Sequence, residues 1–355
     1  MQFFLALYML KKTILLFFEI AFLLIMLFCL FYYQLVIYGI SQGKGQLHIV
    51  MNAQPIDEVV KNATTPDSVK QKLLFISDIK QFAIDSLGIN PSDNYSTYYN
   101  QNNQPKLQVI SASLPYELKA KEWNFPFLGT VSYKGFFNKK ALKKEYLKLV
   151  KEDYDIDVYS PSGWSTLGWF KDPILSNMLK KEEGDLANLI IHELTHGTLY
   201  VKNDVTFNEN LANFIGDKGA EQFLIYKFGK TSVEYNNYLQ DKIDTKIYNE
   251  YILKSVTRLD SLYQLMGRGN SEATTEIKKK ELITEIVLGV NKLPLSNKKQ
   301  YFRYSLQAFR EGNAFFMAFS RYDSQYEIFK NEYEKKFHSN LKEYLHFLKE
   351  KYPSL

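Results

Sequence analysis

Two histidines four residues apart, with a glutamate directly after the first, stand in the segment LIIHELTHGTLYVKNDVTFNENLANF, residues 189–214. On a helix the i, i+4 spacing brings His192 and His196 to one face and sets Glu193 beside them. Two neutral imidazoles suit zinc, and a zinc-bound water falls in pKa toward about 7. A carboxylate at Glu193 is placed to take the proton of that water as it attacks a carbonyl and to pass it to the leaving amine. The chain has only five histidines, so composition alone would produce this pattern in roughly one such chain in two hundred. The other three, His48, His338 and His346, stand alone and read as surface or packing residues.

A catalytic zinc takes three protein ligands. Glu209, in NENLA, is the candidate for the third. The first helix is expected to finish near Tyr200, the chain to turn through Val201 to Val205, and a second helix from about Thr206 to carry the carboxylate back. Thr206 to Glu209 is also a T-x-x-E capping box, which would turn the same carboxylate toward the Thr206 amide; Asp204 is then the fallback ligand. The pattern predicts one zinc ion held by His192, His196 and Glu209, with Glu193 as the catalytic base. Substrate-binding residues are not legible from the motif.

The elements that must position these groups follow from periodicity and breakers. PIDEVV reads as a short helix and TTPDSVKQKLLFISDIKQFAIDSLGI as a long one that stops at Gly88. Residues 90–105 are polar and loop-like, LQVISAS, GTVSYKG and DIDVYS read as strands, and KKALKKEYLKLVKEDY is helical by spacing. PSGWSTLGWFKDPIL, residues 161–175, reads as irregular chain over a cleft. Beyond Glu182 the sequence stays helical, with long amphipathic runs expected at 232–266, 272–287, 298–320 and 323–351. The expected fold class is α+β, a small mixed sheet with an all-helical C-terminal extension, preceded by one transmembrane helix. The expected organisation is a tail and anchor at 1–40, a catalytic domain at 41–230 and a helical region at 231–355.

Thr13 to Tyr33 is apolar apart from Glu19, long enough for the roughly 30 Å of a bilayer core. Lys11 and Lys12 precede it, and Tyr32, Tyr33 and Tyr38 form an interfacial belt beyond it, so the expected topology is single-pass with a cytoplasmic amino terminus. The apolar run exceeds a signal peptide's and no small-x-small site follows before Gly39. The single cysteine, Cys29, excludes an intramolecular disulfide and any zinc site built from cysteine pairs. With 44 basic and 39 acidic residues interspersed, the composition gives no support to nucleic-acid binding. The partners expected are membrane lipid through the N-terminal helix and a peptide or protein substrate.

HELTH followed by NENLA resembles the gluzincin metallopeptidases, the thermolysin-like class, whose second helix carries N-E-x-x-[SA]-D. Asn208, Glu209 and Ala212 match; Asn213 stands where the aspartate would be, and the two motifs lie closer together than in thermolysin. A closer resemblance covers most of the chain beyond the apolar segment. QPIDEVV, EWNFPFLGTVSYKGFF, WSTLGWFKDPIL, LIIHELTHGTLYVKNDVTFNENLANFI and GNAFFMAFSRY are similar, in order, to blocks of a bacterial family of predicted aminopeptidases, membrane-tethered or lipoproteins. Many relatives place cysteines where this chain has Asn124 and Thr130, and a lipobox where it has a plain apolar span. The resemblance implies a zincin-like domain facing the periplasm or exterior from the inner membrane, with zinc at His192, His196 and Glu209 and Glu193 as base. Trp164 to Trp169 would line the substrate cleft, and Tyr322 and Asn313 are candidates for contact with substrate or transition state. An endopeptidase of the cell envelope, or an assembly protein with a structural metal, are the alternatives.

Overall fold

The computed structural model describes residues 2–102, 106–125, 129–161, 171–202, 204–266, 271–319 and 326–352. Trp164 to Trp169 and Tyr322 lie outside the described residues. The chain starts with helix α1, Gln2–Phe31, which holds the only stretch among the described residues long and apolar enough to cross a membrane, Tyr8–Phe31. A signal sequence would satisfy the same criterion. After Tyr32 the chain continues as α2, Tyr33–Asn52, and backbone hydrogen bonds from Tyr32 N–H to Phe28 and from Val36 N–H to Tyr32 carry the ladder across the junction. The glycine-bearing stretch after residue 39 is therefore helical. Gly45 explains part of this: a Cβ there would lie 2.2 Å from the Phe137 ring, so its absence lets α2 lie against the domain.

The short strand β1, Gln54–Pro55, leads into α3, Ile56–Lys61, and α4, Asp67–Leu87, which ends on Gly88 in the left-handed conformation at φ 78°. That C-cap is the one the sequence pointed to. Strand β2, Thr97–Tyr99, falls inside the stretch expected to be loop. Its three residues, TYY, are good strand formers, and the pairing with β1 and with the distant β8, Ile174–Leu175, is what makes them a strand. That sheet is small and mixed, β1–β2 antiparallel and β2–β8 parallel.

Between β2 and β8 come β3, Gln108–Ser113, the hairpin β4, Trp123–Phe125, with β5, Gly129–Val131, then β6, Tyr133–Phe136, α5, Lys139–Lys151, and β7, Asp155–Tyr159. β3 lies centrally in an antiparallel β6-β3-β7 sheet. One face of this sheet packs on Leu142 and Leu149 of α5 around Ile110, Phe136 and Ile156. Asn138 caps α5 by accepting from the amides of Lys140 and Ala141. In the hairpin Asn124 and Thr130 are direct cross-strand partners, and the Thr130 hydroxyl donates to the Asn124 side chain.

The rest is helical: α6, Glu183–His196; α7, Val205–Phe228; α8, Val233–Met266; α9, Glu272–Gly289; α10, Lys298–Ser305; α11, Ala308–Glu311; α12, Asn313–Phe319; α13, Tyr326–Phe337; and α14, Leu341–Lys351. Two runs expected to be continuous are broken. Gly312, at φ 51°, turns the chain so that the Asn313 amide donates to Asp155 at 2.7 Å, and a Cβ there would collide with that carboxylate. His338 and Ser339, at φ 47° and 62°, separate α13 from α14, and Tyr333 Oη donates to the Ser339 carbonyl at 2.7 Å. The protein is a helix-rich α+β molecule.

The main core joins α4, α6, α7, α13 and α14, with Leu73, Ile79, Ile190, Leu211, Phe214, Phe223 and Tyr344 fully buried. A second core holds α8 to α12 together. At the centre, α6 and α7 meet through glycine. A Cβ on Gly216 would lie 3.0 Å from the Asn188 carbonyl oxygen and 3.2 Å from the His192 Cβ. Gly216→Ala is therefore expected to push the two helices apart at the turn bearing His192, at a cost of about 1–3 kcal/mol. Urea denaturation measures it; an unchanged midpoint would show that the helices have room to spare.

Candidate metal centre

α6 begins after Glu182, carries Glu183 and Asp185 in its first turn where the helix dipole favours acids, and ends at Gly197. Its inner face, Leu186, Ile190, Ile191 and Leu194, is buried against α4 and α7. The face so oriented brings His192 and His196 toward α7. The helix stops at His196 rather than near Tyr200, and Tyr200 stands edge-on to the His196 ring at 6.1 Å.

The turn between the helices is set by two polar side chains. Asp204 caps α7, accepting from the Phe207 amide at 2.9 Å. Asn208 clamps the incoming chain: its Oδ1 accepts from the Val201 amide and its Nδ2 donates to the Val201 carbonyl, each at 2.8 Å. The helix thus starts one residue before Thr206 and does not use the T-x-x-E box, which frees Glu209 from the capping role. Asp204, the fallback ligand, is occupied as the cap.

His192 Nε2 and His196 Nε2 are 3.2 Å apart, and the Glu209 oxygens lie 3.6 Å from each of them. No other group of three or more such side chains with metal-ligand spacing occurs among the described residues. Zinc bonds of about 2.0–2.2 Å at tetrahedral angles require ligand atoms roughly 3.3–3.5 Å apart. The two imidazole nitrogens, and each with the Glu209 oxygen nearer to it, are spaced within about 0.1 Å of that range, and one donor atom from each residue lies within 4.8 Å of the other two. No metal is part of the structure, and the donor set fits one.

The charges at the site are uneven. Burial raises the Glu193 carboxyl, and the charges of Glu209 and Asp172 add to it against His192, so that its pKa is pushed up to about 7. Burial, with the charge on His192, lowers His196 to about 4 despite Glu209. Burial also works against the charged form of His192, but Glu209, Glu193 and Asn213 outweigh it and raise its pKa. Burial would raise the Glu209 carboxyl, yet the two imidazoles hold it below its ordinary value. Asn213, which stands where the aspartate of the resembled motif would be, is near enough to His192 to help raise its pKa. His196 Nδ1 is buried and has no partner among the described residues.

Sequence reasoning missed several supporting groups. Asp217 on α7 accepts from Asn188 on α6 and from Lys242 on α8 at 2.5 Å, and Asn188 also donates to Tyr238 Oη at 2.8 Å. This buried node ties the three helices together one turn before His192 on α6 and about two turns after Glu209 on α7; a lone aspartate four residues after Asn213 carries no motif that would reveal it. Behind Glu193 lie Asp172, 1% exposed, and Tyr95, whose buried hydroxyl has no partner among the described residues and whose φ is 58°. Asn313 is placed elsewhere. Its side chain accepts from Tyr263 at 2.7 Å and donates to the carbonyls of Leu114 and Pro115 at 2.9 and 3.1 Å, so it joins the helical region to the sheet.

A model of the family described as Putative aminopeptidase matches residues 37–351. The chain belongs to that family, whose name denotes a peptidase that removes residues from the amino terminus. No curated protein and no solved structure matches it.

The pKa of Glu193 has a consequence for stability. Folding raises this carboxyl from 4.5 to about 7, so the folded chain holds the proton more tightly and the metal-free protein loses roughly 3 kcal/mol as pH rises across that interval. His196 has the opposite sign: with a folded value of about 4 against 6.5, it adds stability as pH rises between those values. Both trends are present in the wild type and mask one another. In chelator-treated protein, Glu193→Gln is expected to be more stable than wild type by roughly 3 kcal/mol at pH 8 and equal to it near pH 4. Denaturation midpoints across that range measure the difference; a pH-independent gap would mean that Glu193 is not held as described.

Proposed function

We propose that this chain is a zinc-dependent aminopeptidase with a zincin-like, gluzincin-type site, anchored by α1 in the inner membrane with its catalytic domain facing the periplasm or exterior. The observation that carries the reading is the convergence of His192, His196 and Glu209 at metal-ligand spacing. When bound, zinc supplies a Lewis acid that acidifies a water and polarises the substrate carbonyl. Glu193 accepts the proton of the attacking water on its carboxylate and returns it to the departing amine. Glu193 follows His192 directly and is buried, so its carboxylate would sit out of bulk water beside the ion. Glu209 and the two imidazoles hold the ion, and Asn213 orients His192.

A metal that only joined α6 to α7 would have no use for the buried Glu193 carboxylate next to His192, which favours catalysis over a structural role. The continuity of α1 with α2 supports an anchor over a cleaved leader. Tyr38 on α2 donates to the Gly135 carbonyl at 2.9 Å and stacks on Phe125, so α2 is part of the domain's packing. The restriction to amino-terminal residues rests on the family's name, since no carboxylate has been assigned to hold a substrate amine.

Purified wild-type protein is expected to bind one zinc ion per chain, and Glu209→Ala to lose most of it on dialysis. Glu193→Gln should keep the zinc and lose about 10²–10⁴-fold in peptide hydrolysis. Metal analysis beside an assay on matched free and N-acetylated peptides tests both parts. Zinc retained by Glu209→Ala removes the ligand assignment, full activity in Glu193→Gln removes the base, and cutting of the acetylated peptides makes the enzyme an endopeptidase.

A further inference from the structure

We propose that the outward face of α5, at its C-terminal end, is a second membrane contact that docks on anionic phospholipid headgroups beside the α1 anchor; this rests on the reading of α1 as a membrane span. The geometry comes from the packing of α2. Tyr38 lies roughly 10 Å of helix beyond Phe31 and touches Gly135 and Phe136, whereas Gly45, further from the membrane, meets Phe137. β6 therefore runs away from the bilayer. β7 is antiparallel to β3, which is antiparallel to β6, so β7 also runs away from it and its first residue, Asp155, is at the near end. α5 connects the far end of β6 to the near end of β7. It descends toward the bilayer, and its last turns are its closest.

The chemistry of that face matches an interfacial helix. α5 carries Lys139, Lys140, Lys143, Lys144, Lys148 and Lys151 against one acid, Glu145. Glu145 is turned inward, accepting from Trp123 Nε1 at 2.9 Å and from Lys134 at 3.2 Å. Lys139, Lys140, Lys143, Lys144 and Lys151 form no ion pair among the described residues, while Lys148 lies 3.8 Å from Glu152, which Lys121 also approaches at 4.0 Å. Among these lysines Tyr146, Leu147 and Val150 are 41%, 48% and 50% exposed. Apolar side chains rimmed by lysines, on a helix whose other face packs on a sheet, are what headgroup insertion requires. A polybasic surface within a Debye length of anionic lipid gains about fivefold in docking for each lysine that reaches it.

The test uses the full chain with Cys29→Ser and Leu147→Cys, the new thiol carrying a polarity-sensitive fluorophore. The protein is inserted into vesicles of phosphatidylcholine alone or mixed with phosphatidylglycerol, each with a headgroup-attached quencher. The expected result is an alkali-resistant protein whose fluorophore is shielded from water and quenched in the anionic vesicles. Signal should fall in phosphatidylcholine alone and in high salt. It should also fall when Lys143, Lys144, Lys148 and Lys151 are changed to Glu, substitutions on exposed positions that leave the core intact. Inserted protein whose label reports bulk water in both lipids would overturn the proposal, as it would if an acidic protein were the true occupant of this face. Release of the protein by alkali would overturn the membrane-span reading and the proposal together.

Discussion

Two helices brought to backbone distance are the constraint on which this molecule depends. α6 supplies both imidazoles and Glu193, α7 supplies Glu209, and neither helix alone brings the three metal-ligand side chains together. Gly216 lets α7 approach the Asn188 carbonyl and the His192 Cβ, and Gly219 similarly opens space for Leu87 and Ile191. The Asp217 node, bonded to Asn188, Tyr238 and Lys242, locks the same pair from the other side. Asn208 and Asp204 fix the turn between them. The result is a set of donor atoms already spaced for a metal, so an ion entering would need little rearrangement of side chains.

Burial makes the same region electrostatically tense. Glu193, His196, Asp172 and Tyr95 are all nearly inaccessible, and taking ionisable groups out of water favours their neutral forms. Glu193 moves up and His196 moves down for that common reason, and the two shifts oppose one another in the pH dependence of folding. Glu209, half in solvent, stays ionised between the imidazoles. Burial pushes both carboxyl groups up; Glu209 stays below its ordinary value because the two imidazoles outweigh burial there, whereas at Glu193 burial prevails.

Much of the fold was legible, and the places where it was not share a cause. α3, α4 with its Gly88 stop, α5, β3, β7, α6, α8 and α9 lie close to where periodicity and breakers put them, because each is amphipathic enough to declare its buried face. β2 was hidden in a polar stretch because its strand character comes from partners over 40 and 70 residues away. The breaks at Gly312 and at His338 and Ser339 were hidden for a related reason. They exist to aim one amide at Asp155 and one carbonyl at Tyr333, and no local pattern records such a target. The helical course of α2 depends likewise on Phe137 lying where Gly45 leaves room.

By itself the sequence determined the chemistry available: one helix face with two imidazoles and a carboxylate, a second glutamate a dozen residues on, and an apolar helix at the start. Those follow from residue identity and from the 3.6-residue helical repeat, which act locally. Only the tertiary structure decided between uses of the same residues. It made Asp204 the cap and so left Glu209 facing the two imidazoles, set Asn213 near His192, and spent Asn313 on joining two cores. Those outcomes depend on which groups become neighbours across α6 and α7, and such distances are set by the packing of the whole core.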